Sequence, residues 1–90
     1  MLEQLSMSAL RDGQSAYVKN IDADPAMRRR LLDIGLIPGT KVTCQGRSPA
    51  GDPAAYLIRG AVIALRSKDA GNVSLERDAA AQPVVRAVLA

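Results

Sequence analysis

Turn-forming residues punctuate this 90-residue chain so densely that only short elements fit between them. Gly13, Asp24-Pro25, Gly35, Pro38-Gly39, the cluster Pro49, Gly51, Asp52 and Pro53, then Arg59-Gly60 and Gly71 follow one another along the sequence. The longest uninterrupted apolar runs are five residues, as in Ala61 to Leu65. A membrane-spanning helix needs about 20, so direct insertion into a bilayer is not expected. The length admits one domain, and a Rossmann sheet or a TIM barrel needs roughly twice as much chain or more. What remains is a small fold of short elements around a modest core.

The patterns between the turns say which elements these are. Met7 to Leu10 reads as one helical turn. From Ser15 to Lys19 polarity alternates, with Ala16 and Val18 on one face and Ser15, Tyr17 and Lys19 on the other, the period of a half-buried strand. Ile21 breaks that parity, so the strand is expected to bend or stop there. Asp22 to Gly35 holds the one helix. Asp24 is a good N-cap, because its carboxylate accepts from the free amides of the first turn. Pro25 loses nothing at the first helical position. Met27, Leu31 and Ile34 fall on one stripe, and Gly35 stops the helix without a Cβ penalty. Thr40 to Gln45 alternates again, with Val42 and Cys44 inward. Ala54 to Ile58 and Ala61 to Leu65 are apolar runs joined by Arg59-Gly60, a hairpin link. Both runs are apolar on both faces, so parity cannot tell which side is buried; strands buried on both faces would suit a small barrel. Ser67 to Asn72 reads as a short helical turn and Val73 to Leu75 as a last strand.

The expected fold class is all-β: a small β-barrel of about five antiparallel strands, with one short helix between strands 1 and 2. Residues 1–76 make the barrel domain in this reading, and 77–90 a C-terminal tail. An Ala-rich linker opens that tail. Val84, Val85, Val88 and Leu89 would share one side of a short helix. Such a tail is expected to be mobile or docked on a neighbour.

Composition removes whole chemistries. There is no His, Trp or Phe, the only aromatics are Tyr17 and Tyr56, and the single Cys is Cys44. Without His there is no Ser-His-Asp or Cys-His catalysis and no imidazole ligand. One thiol builds neither an internal disulfide nor a cysteine zinc site, and a thiol-poor chain suits the reducing cytoplasm. No enzyme, no metal site and no cofactor are expected. The carboxylate pairs Asp22 with Asp24 and Glu76 with Asp78 would hold cations weakly and unselectively, and the first pair reads as turn and cap chemistry. Cys44 reads as a small core hydrophobe, and Asp52 as a loop carboxylate that bonds nearby amides. A net charge of +3 permits an anionic partner without demanding one. Too few aromatics are present to stack bases or to grip a proline-rich peptide.

The helix and its exit are more specific. Arg29-Arg30-Leu31-Leu32-Asp33-Ile34-Gly35-Leu36-Ile37-Pro38-Gly39-Thr40-Lys41-Val42 resembles the signature of the FeoA family, small cytoplasmic proteins or domains of the bacterial ferrous iron transport system. Gly51-Asp52-Pro53, Arg59-Gly60 with Ala64-Leu65-Arg66, and Ala70 followed by Val73 are similar to later pieces of that family, in the expected order. The resemblance runs from about Gln4 to Glu76. It implies an SH3-like barrel with a helix inserted between the first two strands. It also implies an accessory role in ferrous iron uptake, by direct contact with the FeoB membrane GTPase transporter. The place implied is the cytoplasm, or the inner face of the membrane through that partner; homo-oligomerisation is left open.

On the helix, Arg28, Arg29, Leu32 and Leu36 are the candidate partner-binding residues. Arg29 and Asp33 fall on the solvent side and pair at i, i+4. Leu32 lies off the core stripe beside Arg28. Either the barrel wraps round and covers it, or it is an exposed apolar contact flanked by Arg28 and Leu36. Arginine beside a large apolar side chain is an interface composition. The alternative function is an SH3-like regulatory or nucleic-acid-binding domain, related to the one appended to iron-dependent repressors, with Arg28-Arg29-Arg30 as its basic cluster. Those arginines spread over about 200° of the helix and cannot line one groove, so nucleic acid is disfavoured.

Overall fold

The computed structural model describes residues 4–77. Their elements are β1 (Gln4–Ser6), a 3₁₀ turn (Met7–Ala9), β2 (Ser15–Ile21), α1 (Pro25–Asp33), β3 (Lys41–Arg47), β4 (Ala54–Ile58), β5 (Ala61–Leu65), α2 (Ser67–Ala70) and β6 (Val73–Glu76). All six strands join one sheet in the order β1-β6-β2-β3-β4-β5, and every pairing in it is antiparallel. The sheet curls into an open barrel around Tyr56, Met7, Leu10, Leu36 and Val42, all fully buried. The all-β class and the helix after the barrel's first long strand are as expected. The tail assigned to 77–90 lies, beyond Arg77, outside the described residues.

The strand count is six, one more than expected. The addition is β1, whose Leu5 lies opposite Leu75 of β6. Three residues are too few to show an alternation.

Ile21 turns inward and is the last residue of β2, so the strand bends just before it and stops there, as expected. The register of β2 against β6 shifts between Val18 and Asn20, which leaves Lys19 as the extra residue of a bulge. A bulge flips the parity beyond it, so Ala16, Val18 and Ile21 all reach the core. A second bulge lies between Cys44 and Gly46 of β3. It puts Arg47 opposite the inward-facing Ala54. From there Arg47 Nη2 donates to the carbonyls of Ser8 at 2.9 Å and Leu10 at 2.6 Å, clamping the 3₁₀ turn to the barrel.

Burial of β4 and β5 on both faces is not what the structure has. On β4 only Ala54, Tyr56 and Ile58 are buried. On β5 no residue is buried: Ile63 and Leu65 are half-buried and the other three are exposed. The reason is topological. Among the described residues β5 ends the sheet, with β4 as its one neighbour.

Candidate functional site

The outer face of α1 is built from its cap outward. Asp24 Oδ1 accepts the Met27 amide at 2.8 Å, and Pro25 opens the helix. Leu31 is buried at 2% exposure, while Met27, Leu32 and Ile34 are half-buried against the core. The rest of the first turns faces out. Arg29 Nε pairs with Asp33 Oδ1 at 3.4 Å, with side chains 80% and 66% exposed, so the pair adds little to stability. Arg28 bends the other way, and its Nη1 donates to the Ile21 carbonyl at 2.8 Å. Pro25, Arg28, Arg29 and Leu32 together line a shallow depression of about 240 Å³.

Three of the four candidate contact residues therefore meet in one place; Leu36 does not. It is fully buried. The helix ends in a Schellman motif, with the Gly35 amide bonded to the Leu32 carbonyl at 3.0 Å and the Leu36 amide to the Leu31 carbonyl at 3.1 Å. That reversal seats the residue after the glycine against the helix's last inward side chain, here Leu31. Leu36 is a core residue, and it flanks Leu32 only in sequence.

The three arginines point to three places. Arg28 goes to the end of β2 and Arg29 to Asp33. Arg30 lines a cavity of about 50 Å³ with Met27, Leu31, Ile34, Leu65 and Asp69. No common groove forms.

One juxtaposition was not legible. Arg59 and Gly60 form the β4–β5 turn with φ of 50° and 86°, the pattern of a type I′ turn. An arginine is unusual at positive φ. Its stem covers Gly35, where an added Cβ would lie 2.9 Å from Arg59 Cδ. That lays the cation near the C-terminal end of α1, the favourable end for positive charge. The only signal in the sequence was an Arg where Asn or Asp is usual.

Other reactive groups are spoken for. Tyr56 donates its hydroxyl to the Met7 carbonyl at 3.3 Å, and burial pushes its phenol above the usual 10.0. Cys44 is fully buried, with Sγ 3.8 Å from Asp12 Oδ1. Asp52 Oδ1 accepts the Ser67 amide at 2.8 Å and so caps α2 from across the loop. Among the described residues no group of three or more His, Cys, Asp or Glu could hold a metal ion, and no helix is long and apolar enough to cross a membrane.

Comparison with known proteins adds to this geometry. The FeoA domain family model matches residues 5–77. A Porphyromonas gingivalis Fe(2+) transport protein A/Fe(2+) transporter FeoB fusion protein is 28% identical over 72 residues, 80% of this chain and 8% of the relative. The chain thus corresponds to a small fraction of that relative's length. The solution structure of FeoA from Chlorobium tepidum superposes with a TM-score of 0.75 at 33% identity, covering 81% of this chain and 70% of that one. The zinc-complexed FeoA of Stenotrophomonas maltophilia, described as a prokaryotic SH3 domain protein, gives 0.72 at 30%, covering 84% and 92%. A manganese-dependent transcriptional repressor gives 0.76 at 25%, covering 87% of this chain and 44% of the repressor. The open barrel is SH3-like.

Proposed function

The chain belongs to the FeoA family, whose model spans most of its length, and on that premise we propose that it is an accessory protein of ferrous iron uptake acting by direct contact with a FeoB-type transporter. The observation that carries this is the fusion of the two proteins in the Porphyromonas relative. Fusion gives two modules a high effective concentration for each other. A contact surface between the two modules would hold the same arrangement without relying on the linkage. The α1 depression is the surface we assign to it, with Leu32 as the apolar centre and Arg28 and Arg29 as the basic rim. The role is non-catalytic, in keeping with a chain that lacks His and buries its one thiol. Its place is the inner face of the membrane, held there by the transporter.

The test is retention of the full chain on FeoB from solubilised membranes. The parent is retained, and Arg29→Glu with Leu32→Ala, still folded, is not. If that variant is retained like the parent, α1 is not the contact. If the parent itself is not retained, direct contact fails.

The likeness to a metal-dependent repressor raises a second reading, a regulatory domain on nucleic acid. The diverging arginines of α1 speak against it, because phosphate recognition needs cations aligned on one surface.

A further inference from the structure

We propose that the free edge of β5 accepts an extended segment of another protein, apolar in its middle and carrying carboxylates at its ends. This goes beyond the transport reading and does not depend on it.

The edge is open. Across the Arg59-Gly60 turn Ile58 faces Ala61, and in a hairpin of this kind that closing pair exchanges hydrogen bonds. Bonding then alternates, so Ala61, Ile63 and Leu65 point their backbone groups at β4, and Val62 and Ala64 point theirs outward. Nothing among the described residues meets those outward groups.

The edge is also unprotected. Proteins blunt exposed edges with charge, proline, bulges or brevity. Ala61 to Leu65 has no charged residue and no proline, its register with β4 is unbroken, and Val62 is 63% exposed. The opposite edge, β1, is protected by brevity, at three residues. Beneath β5, Leu65 lines the small cavity there together with half-buried Met27 and Ile34 of α1. Inward side chains of an added strand would extend that apolar layer.

Charge selects the occupant. Arg59 and Arg66 bracket β5, both exposed, and neither guanidinium makes an ion pair or hydrogen bond among the described residues. Lys41 joins Arg59 around a depression of about 290 Å³ that includes Leu57. Carboxylates at the ends of an added strand would answer these cations. A second copy pairing antiparallel would set its Arg66 beside Arg59 at each end, a like-charge contact. Residues 84–89 bring Arg86 and no acidic side chain. The acidic-ended strand of another protein is what fits.

The experiment uses the ¹⁵N-labelled full chain and the fluorescein-labelled peptide Glu-Val-Thr-Val-Thr-Val-Glu. Binding should raise the anisotropy and slow amide exchange at Val62 and Ala64 by about tenfold or more, with N-methylation of alternate peptide amides weakening it by at least about tenfold. Ala64→Pro should abolish binding and leave the fold intact, because the lost amide faces away from β4. Arg59→Glu with Arg66→Glu should switch the preference to a Lys-ended peptide. The proposal is overturned if binding is absent at millimolar peptide, or survives N-methylation and Ala64→Pro. It is overturned equally if the Val62 and Ala64 amides are already protected in the free chain. The edge would then belong to residues 84–89 or to a second copy, which sedimentation separates.

Discussion

Leu32 and Leu36 stand one helical turn apart in sequence, and truncating each should do opposite things. Leu36 is fully buried and seated on Leu31 by the Schellman reversal. Leu36→Ala leaves a cavity in a small core and should cost about 3–4 kcal/mol, within the range for fully buried leucines. A chain of this length has roughly 5–13 kcal/mol in total. At about 4–8 °C per kcal/mol the melt should fall by about 12–30 °C. Leu32 is half-buried, so Leu32→Ala should cost only about 1 kcal/mol. Thermal and urea melts by circular dichroism give the stabilities, and FeoB retention at a temperature below both melts gives the binding. Leu36→Ala should be unstable but retained; Leu32→Ala should be stable but weakly retained. If Leu36→Ala melts like the parent and loses retention, Leu36 is an exposed contact and the account of the helix end is wrong.

Gly35→Ala should cost about 1–2 kcal/mol for its positive φ alone, and an Arg59→Ala background should recover any further loss, since the new Cβ would press on Arg59 Cδ; a double-mutant cycle with no coupling would show that the two do not touch. Alkaline stability should report on Tyr56. Burial holds its folded pKa above the unfolded 10.0, so the unfolded chain loses this proton first, and stability is unaffected below pH 10 and falls as the pH climbs above it. Tyr56→Phe should flatten that fall, for about 1 kcal/mol lost with the bond to the Met7 carbonyl. Anaerobic calorimetry with Fe²⁺ should reveal no stoichiometric submicromolar site, because the chain has no His and its thiol is buried. DNA retention should be absent at physiological salt; salt-dependent binding abolished by Arg28→Glu with Arg29→Glu would revive the nucleic-acid reading.

What was legible in the sequence is what local chemistry decides. The Asp24 cap, Pro25 and Gly35 act within a turn of themselves, and α1 lies between them. Val42 and Cys44 face inward because alternation alone places them. The misreadings share a different cause. Helical spacing sets Leu36 beside Leu32 only if the helix runs on, and Gly35 stops it. Past a Schellman glycine the next side chain is aimed by the chain reversal and no longer by helical steps. At Ile21 the broken parity rightly marks a bend and the strand's end, but its cause is a bulge, which can be counted only against the partner strand β6, and that begins at Val73. β5 looked buried because apolar runs carry no label for sheet position; only the strand order leaves it at the edge. Arg59 and Gly35 each had a sufficient local reading, as turn and as helix stop, so nothing prompted the idea that one covers the other. The same division runs through the candidate site. That Arg28, Arg29 and Leu32 lie off the core stripe follows from helical geometry. Only the bulge in β2 explains why the Ile21 carbonyl stands where Arg28 can take it. Arg28 is thereby part anchor and part rim, and Leu32 and Arg29 are the residues whose loss separates contact from folding.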